Sequence, residues 1–285
     1  QLADSSILPK HHKLSKNELL QQYPLYKKEG LKGGFNYFDA ITDDARLTNE
    51  VIMEASQLGG IAINYLSAQN FEIIEGKIKT ISVNNELTSE KFSINAEHFI
   101  SATGIWTDDI LEKVEHQKEK MMLPAKGIHL VMDGAHFPKK TALLIPCTDK
   151  RMLWVCPWVD GLVIIGTTDT PYQGNLREPG ANNQDVQYIL ENLNTSMSGI
   201  KFSEDDILSV FSVLRPLIDE KNESDSVKVS RDYKIWWEKE NLLMIAGGKL
   251  TSFLSMADNL LKELATRKSI NIKKISINQS TKTNN

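Results

Sequence analysis

Cysteine is nearly missing from this 285-residue chain: Cys147 and Cys156 are its two, and neither stands in a metal-type pairing with histidine. That excludes a disulfide framework and a zinc site, and it fits a reducing, cytoplasmic compartment. No apolar run approaches the roughly 20 residues that a membrane helix requires, so any membrane contact is expected to be peripheral. The opening Gln1-Leu2-Ala3-Asp4 has neither the charged nor the apolar part of a signal peptide, and a start on Gln1 instead of Met suggests a portion of a longer chain. Positive charge is not in excess. Lys and Arg total 33 against 37 Asp and Glu, for a formal net charge of −4, and no basic run is interleaved with aromatics. Nucleic acid is thereby excluded as a partner.

What is present is ordinary globular material, 41% hydrophobic and 25% charged, enough for about two domains. A short polar helix is expected within Lys13 to Lys28, closed before Pro24, and a strand over Gly33 to Asp39. Asp43 and Asp44 suit a helix start, and Leu47, Val51, Ile52, Ala55 and Leu58 recur at helical spacing until Gly59-Gly60. Ile61 to Leu66, Phe71 to Ile74 and the alternating Ile78 to Val83 suggest a meander that turns at Glu75-Gly76-Lys77. A buried strand follows over His98 to Gly104, with a helix over Asp108 to Val114. Antiparallel strands are expected at Ile128 to Met132, Ala142 to Ile145, Met152 to Pro157 and Leu162 to Ile165, then a helix at Gln184 to Leu193 and further strands at Ile207 to Arg215 and Val227 to Trp237. The strand Leu242 to Ala246, the turn Gly247-Gly248 and a helix marked by Phe253, Leu254, Ala257, Leu260, Leu261 and Leu264 end the ordered pattern.

Gly247-Gly248-Lys249-Leu250-Thr251-Ser252 stands between that last strand and helix. Glycines let a ligand approach the backbone, the hydroxyls of Thr251 and Ser252 can cap the helix, and the free N–H groups of a helix start favour an anion. The same shape also describes an ordinary strand-turn-helix corner.

Further strings occur in order along the chain: Thr42-Asp43-Asp44-Ala45-Arg46-Leu47, Ala102-Thr103-Gly104-Ile105-Trp106, Lys126-Gly127-Ile128-His129-Leu130, Ile165-Gly166-Thr167-Thr168-Asp169-Thr170, Leu214-Arg215-Pro216-Leu217, Ser230-Arg231-Asp232-Tyr233 and Gly247-Gly248-Lys249-Leu250-Thr251. With them the chain resembles the FAD-dependent glycerol-3-phosphate dehydrogenases over nearly its whole length. The resemblance implies a mixed α/β fold: part of a Rossmann-like FAD-binding domain (42–120 and 242–270), an antiparallel-sheet substrate domain (1–41 and 121–241), and a polar tail (271–285). The family's Gly-x-Gly-x-x-Gly turn, which cradles the FAD pyrophosphate, and its carboxy-terminal helical extension have no counterpart here. The expectation is a truncated portion that binds FAD poorly.

The resemblance also implies site residues. Arg215 would grip the substrate phosphate bidentately, the plain alternative being a surface salt bridge. His129 would act as base or substrate hydrogen-bond partner, the alternative being a satisfied core residue. Lys249 would stabilise charge on the alkoxide and the reduced flavin, the alternative being a solvated lysine. Thr103, Gly104, Trp106, Gly247, Gly248, Lys249, Leu250 and Thr251 would touch FAD, while Arg231 and Asp232 would pair or shape the pocket and Thr168-Asp169 would order a loop. Trp154, Trp158, Trp236 and Trp237 read as core or interface. The implied reaction is oxidation of sn-glycerol 3-phosphate to dihydroxyacetone phosphate, with a quinone, or oxygen in oxidase relatives, taking the electrons. Two rivals stand beside it: an amino-acid or hydroxy-acid oxidoreductase of the same fold, and a non-catalytic binding or assembly module.

Overall fold

A computed structural model describes residues 9–115, 119–219 and 232–270. In chain order, strand β1 (His12–Ser15), helix α1 (Lys16–Gln22), strand β2 (Gly33–Asn36) and helix α2 (Asp44–Gln57) come first. Strands β3 (Leu66–Ile74), β4 (Lys77–Asn85), β5 (Lys91–Ile94) and β6 (Phe99–Ser101) precede helix α3 (Thr107–Glu115). Strands β7 (Met122–Asp133), β8 (Leu143–Pro146), β9 (Met152–Pro157), β10 (Leu162–Gly166) and β11 (Thr170–Pro171) lead to helix α4 (Asn183–Ser196). Last come β12 (Ile207–Ile218), β13 (Tyr233–Lys239), β14 (Leu242–Gly247) and helix α5 (Phe253–Lys268). Among the described residues no helix is long and apolar enough to cross a membrane.

The described residues of Gln1–Ala62 and Leu123–Arg215 belong to one compact unit. Its frame is a sheet in the order β11-β7-β10-β9-β8, with β12 also pairing β7. Alternation along the strands sends Ile128, Leu130, Met132, Leu153, Val155, Val163 and Ile165 into one core. Ile189, Leu190 and Leu193 of α4 pack there too. Each such side chain contributes about 1.5–3 kcal/mol through the area it removes from water. The start of α4 is fixed by a capping box: Asn182 Oδ1 accepts from Asp185 N at 3.0 Å, and the Asp185 carboxylate accepts from Asn182 N at 3.2 Å. That carboxylate also takes a buried ion pair from Lys126 Nζ at 2.6 Å, which ties β7 to α4.

In this unit the helix expected within Lys13 to Lys28 is α1 alone, because Ser15 caps it and the residues before Ser15 pair with β2 instead. Helix α2 forms where its periodicity places it, with Asp43 Oδ1 accepting from Arg46 N at 3.0 Å. It buries none of its residues, so the stripe of Val51, Ile52 and Leu58 stays exposed.

The described residues of Ile63–Met122, Pro216–Glu220 and Val229–Asn285 form the other unit. Its central sheet runs β13-β14-β6, antiparallel at the first junction and parallel at the second. Strand β14 is an unbroken buried run because both faces are covered. Leu242 and Met244 pack with Leu111 and Val114 of α3 and Ile78 of β4, whereas Leu243 and Ile245 pack with Leu260 and Leu264 of α5. Strands β3, β4 and β5 form the meander, and the turn between β3 and β4 has positive φ at Glu75 and Gly76. Of the stretch Ile61 to Leu66, expected to be β-like, only Leu66 enters a strand; Ile61 to Tyr65 stay outside. Buried Asn241 joins the meander to the sheet: its amide accepts from Ile78 N at 2.8 Å and donates to Ile78 O at 2.9 Å. Tyr233–Lys239 pairs along β14 and not with the large sheet. The expected strand residues 227–231 and the polar tail 271–285 lie outside the described residues.

Candidate functional site

One face of the large sheet is core; the other carries His129, the histidine expected to act. On β7, Gly127, His129 and Val131 share the face opposite Ile128 and Leu130, and across the ladders Gly166 of β10 stands beside His129 while Trp154 of β9 stands beside Gly166. Phe211 of β12 stacks on the His129 ring, with centroids 4.8 Å apart and planes 12° from parallel. The ring leaves no room for a Cβ at Gly166, where one would run into His129 Cδ2 and Cγ. Burial, and then the positive charge of Arg215, push the His129 pKa down to about 4, against a weaker opposing pull from Asp44. The imidazole is therefore neutral at neutral pH. Its Nδ1 is buried without a hydrogen-bond partner among the described residues.

Arg215 lies on the same face of β12 as Phe211. Its guanidinium reaches the loop between β10 and β11: Nη1 and Nη2 donate to Thr168 O at 3.3 Å, Nη2 donates to Thr167 Oγ1 at 3.3 Å, and Nη1 lies 3.4 Å from Asp169 Oδ1. Gly166 pairs with His129 and Thr170 with Lys126, so Thr167, Thr168 and Asp169 face Gly127 and Ile128 in a bulge. The bulge closes when the Thr168 hydroxyl accepts from Ile128 N at 3.1 Å. Gly127 is its floor, because a Cβ there would stand 2.5 Å from Thr167 Oγ1 and 2.8 Å from Arg215 Nη2. Arg215 is thus neither a surface salt bridge nor a loose cation: it is 22% exposed and its ion-pair partner Asp169 is 10% exposed.

In the other unit, parallel β6 and β14 end on the same edge, and each is followed by a glycine turn, a 3-10 turn and a helix. Ligands of open parallel sheets bind at this carboxyl edge. After β6, Gly104 has φ 56° and open space where a Cβ would stand, the Thr103 hydroxyl meets Ser101 Oγ at 3.1 Å, and the buried Thr107 hydroxyl donates to Gly104 O at 2.8 Å. Trp106 is 41% exposed. After β14, Gly247 and Gly248 have φ of 77° and 81°, which only glycine adopts without strain, and Lys249, Leu250 and Thr251 are exposed. The expected hydroxyl cap is absent: Ser252 turns back and donates to Lys249 O at 2.8 Å, because the 3-10 turn Leu250–Ser252 runs straight into α5.

The sequence-expected residues therefore fall into two groups. His129 and Arg215 share a face of one unit, while Thr103, Gly104, Trp106 and Gly247 to Thr251 line an edge of the other. Asp232 is described and its carbonyl accepts from Gly248 N at 3.2 Å, whereas Arg231 lies outside the described residues. Gly127 and Gly166 stand in the motif strings with no role of their own; a lone glycine inside a strand pattern signals a bulge or a close approach, and both are found. The Phe211 stack had no local signal.

The carboxyl edge of parallel β6 and β14, with glycine turns that lead into α3 and α5, is of the kind at which open α/β folds hold a dinucleotide. Residues 1–256 match the family described as FAD dependent oxidoreductase, and the chain belongs to that family. It is 38% identical over 248 residues to the aerobic glycerol-3-phosphate dehydrogenase of Bacillus subtilis, an alignment covering 87% of this chain and 44% of that protein. The solved glycerol-3-phosphate dehydrogenase from Bacillus halodurans complexed with FAD superposes with a TM-score of 0.79 at 32% identity, covering 92% of this chain and 50% of that one. Glycine oxidase from Geobacillus kaustophilus shares the fold, with a TM-score of 0.64 at 16% identity over 93% of this chain and 65% of its own. The chain thus spans about half the length of the glycerol-3-phosphate dehydrogenases it matches.

Proposed function

We propose that this chain carries the substrate-holding part of an enzyme that oxidises sn-glycerol 3-phosphate to dihydroxyacetone phosphate. The observation that supports it most is the neutral His129, with its unpartnered Nδ1, on the same sheet face as the fixed guanidinium of Arg215. The names of the relatives above point the same way. In this reading the unit built on the large sheet is the substrate domain and the unit built on β14 is the remainder of the FAD-binding domain.

Arg215 pairs with the phosphate, for which a planar fork of donors is suited. The phosphate charge offsets the guanidinium, one of the two causes that depress His129, so the imidazole becomes a stronger base when substrate is bound. His129 then accepts the C2 hydroxyl proton. Lys249, on the glycine-rich edge of its own unit, would add fixed positive charge beside the flavin. The parallel edge suits FAD: Gly104 leaves open space beside its backbone, and Gly247 and Gly248 hold conformations that bring bare main chain to the edge. Thr103, Gly104, Trp106 and Gly247 to Thr251 would hold the flavin there. When bound, FAD supplies the acceptor for the hydride that leaves C2. A quinone would be the final electron acceptor, with the protein in the cytoplasm and peripheral on the membrane's cytoplasmic face.

The test compares substrates for the full-length, FAD-loaded protein. Turnover of glycerol 3-phosphate should exceed that of glycine, sarcosine and 2-hydroxyglutarate by about ten-thousandfold or more, the scale on which a site built for one polar group rejects analogues lacking it. Equal turnover of an amino acid or hydroxy acid would replace this reading with the oxidase one suggested by the shared fold.

A further inference from the structure

Behind the loop that holds Arg215 stands a second arginine that neither the sequence motifs nor the proposed reaction uses. Arg151, in the turn between β8 and β9, donates from Nη1 to Asp169 O at 3.2 Å. Its Nε and Nη2 grip Asp149 Oδ2 at 2.7 and 2.6 Å. Its guanidinium lies 4.4 Å from the ring centroid of Tyr188, on α4, and the Tyr188 hydroxyl donates to the Asp149 carboxylate at 3.2 Å. The same turn is fastened to α4 once more where Thr148 N donates to Asn192 Oδ1 at 3.0 Å. Asp169 therefore joins two guanidiniums: its carbonyl accepts from Arg151 and its carboxylate pairs with Arg215.

We propose that Arg151 is a positioning residue for Arg215: anchored by Asp149 and Tyr188, it fixes the Thr167–Asp169 loop, whose oxygens set where the Arg215 guanidinium meets the substrate's phosphate. A planar fork stacked on a ring and satisfied on two edges is a rigid strut, which a loop carbonyl alone cannot provide. Without it Asp169 loses the donor that orients its backbone, and Arg215 follows its ion-pair partner. The proposal rests on the reading that Arg215 holds phosphate.

The experiment is steady-state kinetics of the full-length, FAD-loaded protein with glycerol 3-phosphate, for Arg151→Ala, Arg151→Lys, Arg215→Ala and the Arg151→Ala/Arg215→Ala double variant. Arg151→Ala should raise KM about tenfold with kcat within about twofold, since misplacing a binding group removes binding energy common to ground and transition states. Arg151→Lys keeps a donor for Asp169 O but loses the fork and the stack, and should raise KM about threefold. It carries the test if Arg151→Ala does not fold. The double variant should be no worse than Arg215→Ala alone, because Arg151 acts through Arg215. An unchanged KM in both Arg151 variants, or single effects that multiply in the double variant, overturns the proposal while leaving the Arg215 reading intact. An unchanged KM in Arg215→Ala overturns that reading first, and this inference with it.

Discussion

The two units hold the groups proposed to act by opposite means. In the one built on the large sheet, those groups are side chains fixed by other side chains and by loop carbonyls: Arg215 on Thr168 O and Asp169, Arg151 on Asp169 O, His129 against Phe211. In the other, the groups are stretches of bare backbone at Gly104 and Gly247-Gly248, fixed by the apolar layers on both faces of β14. The difference matches the tasks proposed for them. Recognising a phosphate and moving a proton need charge at defined points, whereas a large planar cofactor needs main chain that can be approached closely. It also means that polar substitutions should dominate damage in the first unit and backbone substitutions in the second.

The sharpest way to break that contrast lies in the polar interior of the first unit. Lys126 and Asp185 are both buried, and Lys126 Nζ also donates to Gly180 O at 3.2 Å. Lys126→Met keeps the length of the stem but leaves the Asp185 carboxylate without its cation, a defect that costs about 3–5 kcal/mol. Chemical denaturation should show that loss as a lower midpoint with little change in slope. A loss below about 1 kcal/mol would mean that the buried ion pair contributes little beside the apolar core of this unit.

Legibility in the sequence follows the same contrast. Helix α2 could be bounded because Asp43 caps it and Gly59-Gly60 stop it, and β14 because a both-sides-buried strand is a continuous apolar run. These are local signals. The partnership of β13 with β14, the exposed stripe of α2 and the stack of Phe211 on His129 depend on long-range packing that no window of residues contains. The loop Thr167–Asp169 sits between: its residues were conspicuous as a motif, but the use of its carbonyls by Arg215 and Arg151 is invisible in a string of side chains. The misplaced hydroxyl cap has a similar cause, because Ser252 looks like a helix start until the 3-10 turn before it supplies a nearer acceptor.

A pH titration sharpens the comparison further, since the first unit holds a depressed histidine on the sheet face opposite its core. The folded pKa of His129 lies near 4, below the ordinary value of 6.5, through burial first and Arg215 second. Above pH 6.5 the ring is neutral in both states and its stability contribution is intact. Between pH 6.5 and 4 the unfolded chain binds a proton that the folded chain refuses, so stability falls as pH falls. The loss should amount to about 2 kcal/mol, somewhat below the full value of the shift because His129 is only partly buried. Comparing denaturation of the parent and His129→Gln at pH 7.5 and pH 4.5 isolates it: the variant should lose less stability on acidification. Equal losses would show that the histidine is not held neutral.

The smallest expected effect tests the second unit. At Gly104 a Cβ would meet nothing within 4 Å, so Gly104→Ala brings no clash, only the strain of a non-glycine residue at φ 56°. That strain is worth about 1 kcal/mol, or a few degrees in melting temperature for a unit of this size. If the bare backbone there serves a cofactor, the methyl group should also cost flavin: the absorbance of retained FAD per mole of full-length protein should drop more than 1 kcal/mol of lost stability explains. Flavin retention that merely tracks stability would reduce Gly104 to a turn residue. Gly247 and Gly248 differ, because a Cβ there would collide with Asp232 O and with Met256 Sδ, so their substitution would cost packing as well as strain.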